Sequence, residues 1–508
     1  MKQLFNVISK KSTTALILLL LEVLVSGFVV LALGRLFVIF GVLAYIYNIL
    51  IIFFIVNSKA NPAYKISWIF ATILLPFVGG LLYLTFGKRR TMKKIKRKFK
   101  NSSYNSFNEF FAENKKFIDS LDIDVSCLQM IKWIFNVSKH PVYDATDTEF
   151  LASGNLYFEK LISDLKNAKN TIFIEFFIIS PGKMWGEILD ILIEKTKCGV
   201  DVKLIYDDFG TIASLPRNYD KYISSLGIKC KVFNPIKPRF EAFMNNRDHR
   251  KMVVIDGEIA YTGGINFADE YINKKERFGF WQDCGVRLKG KAVFSFVVLF
   301  LNMWNYLSGE SIFFKDFVPE KYADISDGLV MPYGDNPVNS YYLNDSIYLK
   351  IVSRAEKYVY IQTPYLIIDD KLTNSLIFAA QSGVEVIIIT PNIYDKFYVH
   401  AVTRSSYYRL IKSGVKIYEF TPGFIHSKVI ISDGIVGVLG TANFDFRSLY
   451  LHFECSVWMY KTKALKQIYE DFKKIICKSK KVSLKECEKR NFFEKILGFI
   501  LKPFSSFM

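Results

Sequence analysis

HRKMVVIDG at residues 249–257 and HSKVIISDG at residues 426–434 are two copies of one pattern, His-x-Lys-x4-Asp-Gly. Seventeen positions after its histidine each copy reaches Asn-Phe, at Asn266-Phe267 and Asn443-Phe444. The chain has only 5 histidines, and the pattern uses two of them. A lone His-x-Lys on a strand is most often ordinary sheet surface, but that reading does not predict the same offsets twice. The duplication makes two histidines available to one reaction, one as nucleophile and one as acid.

The sequence around the copies repeats as well. NTIFIEFFII (170–179) has the β-branched and aromatic content of a buried strand. MWGEILDILIEKTKCG (184–199) has helical period and ends at Gly199, and VDVKLIYDDFG (200–210) is a second strand. KYVYIQTPYLII (357–368), KLTNSLIFAAQSG (371–383) and VEVIIITP (384–391) repeat the order strand, helix, strand. A further helix over 399–413 leads to strand VKIYEF (415–420). Continuous apolar strands alternating with helices predict an α/β fold, its sheets covered by helices on both faces. Two such lobes about a pseudo-two-fold axis would bring the motifs together.

The residue types in the motifs suit phosphoryl chemistry. On a strand, positions two apart share a face, so His249 with Lys251 and His426 with Lys428 reach one cavity. The lysines supply charge for phosphoryl oxygens, and Asn266 and Asn443 add amide donors. A carboxylate on the second ring nitrogen would fix each tautomer. The candidates are Asp283 in WQDCGV and Glu454 in HFECSV, which follow the two motifs and align with one another. Asp256 and Asp433 complete the pattern, although an Asp before Gly also starts a turn. His140 and His400 have no partner pattern, and His452 reads as structural or supporting. No carboxylate cluster with metal-ligand spacing stands out, so neither a metal nor another cofactor is expected.

Composition places this chemistry at a membrane. The formal charge of +19 implies an anionic partner. A mean hydropathy of +0.19 and 51% hydrophobic residues point to membrane segments. Apolar runs at about 13–33, 36–56 and 67–86 approach the ~20 residues of a spanning helix. The third reads as a span from Trp68 at one interface to Tyr83 at the other. The first contains Glu22, and Ala32-x-Gly34 allows a weaker signal-peptide reading of residues 1–34. KRRTMKKIKRKFK (88–100) then marks the cytoplasmic side and a surface for anionic headgroups. Two or three spans fit this pattern, with the catalytic lobes cytoplasmic. VFNPIKPRFEAFM (232–244) is either a lipid contact or a packed loop, and NFFEKILGFILK (491–502) an amphipathic helix for the bilayer or the protein body. The 7 cysteines are odd in number and widely spaced, which predicts a reduced compartment.

The tracts NNRDHRKMVVIDG, YTGGINFADEY, YVYIQTPYLI, TPGFIHSKVIISDG and GTANFDFRSLYLHFE resemble the phospholipase D superfamily. Within it, nearly the whole chain resembles bacterial cardiolipin synthases, including the leader LLPFVGGLLYLTFG. The resemblance implies two phospholipase D-like α/β/α lobes, at 101–330 and 331–490, after a membrane region at 1–100 and before a tail at 491–508. It implies phosphatidyl transfer between two phosphatidylglycerols, His249 attacking phosphorus and His426 serving as acid and then base. Lys251, Lys428, Asn266 and Asn443 would hold the phosphoryl oxygens. The partners implied are phosphatidylglycerol, as donor and acceptor, and an anionic membrane surface. Oligomeric state is not implied. Three positions depart from the family: Gln282 where many members have Arg, His452 where many have Asn, and Gly264 where a hydroxyl is common, as at Thr441. A hydrolytic phospholipase D, or a phosphatidyltransferase using another alcohol, fits the same motifs. A nuclease fits the charge but has no use for spanning segments. An inert scaffold is at odds with complete motifs in both lobes.

Overall fold

The computed structural model describes residues 20–28, 34–87, 108–236, 246–317, 327–338 and 341–508. They belong to two compact units. One holds the N-terminal apolar region with residues 503–507, and the other holds both lobes, over 93–235 and 245–502.

The lobes are two sheets of the same strand order. In the first lobe, β1 (Thr146–Leu151), β2 (Thr171–Phe176), β3 (Asp201–Asp207), β4 (Lys229–Phe233), β5 (Lys251–Ile255), β6 (Ile259–Gly263) and β7 (Gly285–Gly290) lie in the order β1-β7-β6-β5-β2-β3-β4. In the second, β8 (Leu329–Asp335), β9 (Tyr358–Gln362), β10 (Glu385–Pro391), β11 (Lys416–Phe420), β12 (Val429–Ser432), β13 (Val436–Gly440), β14 (Glu454–Tyr460) and β15 (Ser479–Lys481) lie as β8-β14-β13-β12-β9-β10-β11-β15. Strand for strand the orders match, with β15 added at one edge of the second sheet. The motif strands β5 and β12 occupy the same place, each antiparallel to the lobe's first βαβ strand, β2 or β9.

Helices cover the sheets, as continuous apolar strands require. In the first lobe α1 (Gly154–Lys166) and α2 (Lys183–Lys197) bury Leu161, Leu165, Ile188 and Leu192 against Ile172, Ile174, Val202 and Leu204. Ser153 caps α1 by accepting from the Leu156 N–H at 3.2 Å. The opposite face meets α3 (Val293–Ser308), buried along nearly its whole length, which is the pattern of a helix enclosed on all sides. Phe300 of α3 stacks on Phe173 of β2 at 4.7 Å. In the second lobe α4 (Asp370–Gln381) is capped by Asp369, α5 (Phe397–Ser405) follows β10, and α6 (Lys463–Cys477) follows β14. All 7 cysteines are free.

The tail forms helix α7 (Phe492–Leu501), which packs on α5 of its own unit. At Gly498 a β-carbon would stand 2.9 Å from the Ala401 carbonyl, so the glycine permits the close approach. Glu494 faces Arg404 and Arg490 at 3.6 and 3.7 Å. Phe492, Phe493, Ile496, Phe499 and Ile500 point outward, Phe499 being 81% exposed.

The N-terminal unit departs from the sequence reading. The second apolar run forms one helix, Gly34–Val56. The third run, read as one span, is not one continuous helix. It breaks into Pro62–Leu74, Val78–Leu82 and a π-helical turn at Tyr83–Gly87. Pro76 lacks the N–H a continuous helix needs, and Phe77 takes a φ of 67°. A β-carbon at Gly79 would lie 2.3 Å from the Ala71 carbonyl, so the chain folds back on itself. Trp68 and Tyr83, expected at opposite interfaces, therefore touch at 5.5 Å. Phe507 joins them, 5.2 Å from Trp68. Counting the residues whose side chains are described, which in the Gly34–Val56 helix run unbroken over 40–56, no helix is long and apolar enough to cross a membrane. Most of the first run, the basic stretch 88–100 and most of 232–244 lie outside the described residues.

Candidate active site

The two motifs meet where the lobes meet, through reciprocal backbone bonds. The His249 N–H donates to the Phe453 carbonyl at 2.9 Å, and the His426 N–H donates to the Gln282 carbonyl at 2.7 Å. Phe453 and Gln282 are equivalent positions, each preceding its lobe's carboxylate. This reciprocity is that of a two-fold contact.

The side chains repeat the exchange. His249 Nδ1 lies 2.9 and 3.0 Å from the Glu454 oxygens. His426 Nδ1 lies 2.7 Å from Asp283 Oδ2. Each histidine thus takes its carboxylate from the opposite lobe. With Nδ1 engaged, the reactive nitrogen of each ring is Nε2, the tautomer logic of a catalytic triad. Both carboxylates are fully buried, and the histidines are 8% and 7% exposed.

Lys251 and Lys428 stand on the same strand faces as their histidines. Lys251 Nζ donates to the His249 carbonyl at 2.7 Å, and Lys428 Nζ to that of His426. Arg250, between His249 and Lys251, points to the other face and meets Glu175 at 3.3 Å, as strand alternation requires. Asn266 donates to the Tyr271 hydroxyl at 2.6 Å, and Asn443 donates to Asp445 at 3.0 Å. The side-chain oxygen of Asn443 is buried and unpaired.

Asp256 and Asp433 stand in the turns that follow the motif strands. Each lies at the far end of its motif strand, about 20 Å along the chain from the histidine at ~3.3 Å per residue. Asp256 accepts from the N–H groups of Lys169, Asn170 and Thr171, and Asp433 from those of Glu356, Lys357 and Tyr358. Both have left-handed backbones, φ 53° and 59°. They fasten the turn after the motif strand to the start of β2 or β9.

The departures from the family pattern also find their places. Gln282 turns away to the Ala152 carbonyl at 2.9 Å. Thr441 donates to Glu454. Its counterpart Gly264 has no room for a side chain, because a β-carbon there would lie 2.1 Å from Asp283 Oδ1. His452, read from sequence as supporting, stands 5.6 Å ring to ring from His249. Phe177 is on another side of His249 at 4.9 Å. Tyr271, Trp281 and Phe424 surround His426 at 5.5, 5.5 and 5.8 Å. Trp281 is the lobe-one counterpart of His452, and the aligned WQDC and HFEC tracts carried that signal. His140 Nε2 accepts from the Gly334 N–H at 3.1 Å, a structural contact.

Burial sets the protonation states. It lowers His426 to about 4, with Lys428 adding to the effect. Burial, Lys251 and Lys428 hold His249 well below the ordinary imidazole range. Burial lowers Lys251 to about 8 and Lys428 to about 7, and raises Glu454 to about 7. Both imidazoles are therefore neutral near pH 7, as a nucleophile must be. An arriving phosphodiester anion raises their proton affinity, which readies one of them as acid. Among the described residues, His249, His452 and Glu454 are the group with ligand atoms close enough for a metal, within 4.8 Å of one another. That trio overlaps the His249–Glu454 pair.

Known proteins are similar to this chain in sequence and in fold. The family described as "Cardiolipin synthase, PLD-like domain" matches residues 161–281 and 348–476, one match per lobe. A phospholipase D-nuclease N-terminal family matches residues 43–88. An uncharacterised Streptococcus mutans protein is 38% identical over 89% of this chain and 98% of its own length. A cardiolipin synthase of Geobacillus sp. WCH70 is 32% identical over 84% of this chain and 85% of its own. One of Alkalihalophilus pseudofirmus is 31% identical over 91% and 92%. In structure, phosphatidylserine synthase of Haemophilus influenzae is similar with a TM-score of 0.56 at 17% identity, over 74% of this chain and 97% of its own, a likeness of fold. With a duplicated His-x-Lys-x4-Asp motif, a matching domain in each lobe and relatives aligned over most of its length, the chain belongs to the cardiolipin synthase family of phospholipase D-like phosphatidyltransferases.

Proposed function

We propose that the protein makes cardiolipin from two phosphatidylglycerols, releasing glycerol. The observation that carries the reading is the pair of crossed dyads, His249–Glu454 and His426–Asp283, with Lys251 and Lys428 beside them. Nε2 of His249 attacks the phosphorus of one phosphatidylglycerol. The bond from phosphorus to the glycerol oxygen breaks, and that oxygen takes a proton from His426 Nε2. A hydroxyl of the second phosphatidylglycerol then gives its proton back to His426, and its oxygen attacks the phosphatidyl-histidine. The P–N bond breaks and His249 is restored. Lys251, Lys428, Asn266 and Asn443 hold the non-bridging oxygens through both steps. Water in place of the second lipid would give phosphatidic acid, so a buried site favours synthesis.

The same reading sets the enzyme in the cell membrane as a multi-pass protein, its lobes cytoplasmic. The 23-residue apolar helix Gly34–Val56, the basic run 88–100 and the net charge support this. The outward apolar face of α7 supports contact of the lobes with the lipid surface.

The experiment is to give the purified chain labelled phosphatidylglycerol, with a chelator present, and to identify the products. Cardiolipin with an equal amount of free glycerol is expected. Phosphatidic acid alone would make water the acceptor and the protein a phospholipase. No conversion would exclude phosphatidylglycerol as donor.

A further inference from the structure

The repeat allows the two histidines' surroundings to be compared position by position, and they differ in kind. Two residues before His426 stands Phe424, and two before Asp283 stands Trp281. Both are aromatic, with ring centroids 5.8 and 5.5 Å from His426. The equivalent positions beside His249 are Arg247 and His452. An aromatic pair in one half-site is thus a polar, hydrogen-bonding pair in the other.

Arg247 and His452 are buried, Arg247 at 2% exposure and the His452 side chain at 10%. Both carry polar atoms without a partner: Nη2 of Arg247, and Nδ1 and Nε2 of His452. Arg247 Nη1 donates to the Asn234 carbonyl at 3.0 Å and faces Asp207 at 3.7 Å, while its guanidinium lies over Phe209 at 5.1 Å. These contacts hold the group but leave one edge open. The carboxylate near His452 is Glu454 at 4.0 Å, beyond hydrogen-bond reach, and its oxygens already serve His249 and Thr441. Backbone bonds fix both residues beside the motif: the His452 N–H donates to the Arg447 carbonyl at 2.9 Å, and the Phe453 N–H to the Arg247 carbonyl at 2.8 Å. Buried polar groups are nearly always paired, so three unpaired atoms on these two residues of one half-site call for a ligand.

Their chemistry specifies it. Burial, with His249 and Arg447 nearby, keeps His452 well below the usual imidazole range and hence neutral. A neutral imidazole offers one donor and one acceptor, the complement of a hydroxyl. A guanidinium edge is the complement of a phosphodiester. We propose that His452 and Arg247 form the headgroup subsite for the second phospholipid, His452 binding a free hydroxyl of its polyol and Arg247 its phosphodiester. The proposal rests on the synthase reading above. The accepting phosphatidylglycerol has both groups to offer. One hydroxyl reacts, the neighbouring hydroxyl remains free, and its own phosphodiester lies one carbon further on.

The test is a competition between acceptors at one phosphatidyl-enzyme. The full-length enzyme receives labelled phosphatidylglycerol and n-butanol, which has neither a second hydroxyl nor a phosphate. Cardiolipin and phosphatidylbutanol are then measured together. His452→Phe, which copies the apolar character of lobe one, is expected to lower the ratio of cardiolipin to phosphatidylbutanol at least tenfold. His452→Asn, which keeps a donor and an acceptor, is expected to restore most of it. Arg247→Gln should lower the ratio as well. Should that variant fold poorly, the two His452 variants decide alone. An unchanged ratio in folded His452→Phe overturns the proposal, as does an equal fall of both products, which marks a structural role. Failure of the underlying reading has a different signature, because the unaltered enzyme would then make no cardiolipin.

Discussion

The exchange of Thr441 for Gly264 between the lobes carries a prediction about single residues. Thr441 supports Glu454 with a hydroxyl, whereas at Gly264 the Asp283 carboxylate fills the space a side chain would need. Gly264→Thr should therefore displace Asp283 from His426 and lower kcat by up to about ten-thousandfold, the order expected when a histidine loses its orienting carboxylate. Steady-state kinetics and a thermal melt on the same variant check it, and full activity would show that Asp283 can move without harm. The turn aspartates should behave in the opposite way. Asp433→Ala leaves three backbone N–H groups without their acceptor, a loss of roughly 1–3 kcal/mol that a denaturant titration would read, with kcat little changed. Although burial opposes it, the Tyr358, Glu356 and Lys357 N–H bonds hold the Asp433 carboxyl below its usual value. A lowered folded-state pKa gives stability that is present above the unfolded value, near 4, and is lost as pH falls through the folded one. The alanine variant should lose that acid-side slope. The lysines give the activity its alkaline limb. With Lys428 near 7 and Lys251 near 8, each is charged below its pKa and neutral above it. In neutral micelles kcat/KM should decline as pH rises from 7 to 9, and Lys428→Arg, which stays charged, should move the decline upward. A flat profile to pH 9 would remove the lysines' charge from the mechanism.

At the scale of elements, the sequence was most legible where period and composition agreed. The tract 170–179 contains β2 at Thr171–Phe176, 184–199 contains most of α2, and 384–391 contains β10, because buried strands and amphipathic helices leave local signals. The third apolar run differs from one continuous helix for a physical reason. Hydropathy sums the residues of 67–86, but the backbone is decided by Pro76, Phe77 and the tight packing of Gly79 on Ala71, which turn one apparent span into a hairpin. Pairings between lobes were not legible at all. That Asp283 serves His426 and Glu454 serves His249 depends on contacts 143 and 205 residues apart, which no local period encodes. For the tail, the packed reading describes one face of the helix. One face of α7 rests on α5 around Gly498, and the other leaves Phe492, Phe493, Ile496, Phe499 and Ile500 in the open. A dye on Phe499→Cys, with exposed Cys198 and Cys477 changed to Ser, should shift to the blue in anionic vesicles relative to detergent-free neutral nanodiscs. Equal emission in both would leave the face without a role at charged lipid.

For the whole molecule, the crossing of the dyads means that neither lobe holds a complete histidine–carboxylate pair. Each supplies a ring and borrows a carboxylate, so on the proposed mechanism the reaction depends on the lobe contact as well as on the motifs. It follows that a change in one lobe should impair the step performed by the other. His249→Ala and His426→Ala should each lower turnover by about a thousandfold or more with an unchanged melting temperature. A substrate whose leaving group needs no acid separates the steps. With the p-nitrophenyl ester of phosphatidic acid, departure of nitrophenolate requires attack by the nucleophile but no proton. His426→Ala, and Asp283→Asn in the opposite lobe, should then retain a burst of nitrophenolate. His249→Ala, and Glu454→Gln in its opposite lobe, should lose it. The burst therefore groups residues by dyad across the lobes rather than by their order in the chain. Were the burst to survive in the His249 and Glu454 variants and vanish in the other two, the two histidines would exchange roles while the crossed pairing stood. A burst that grouped His249 with Asp283 would instead break the pairing itself, since a carboxylate acts on the ring it touches.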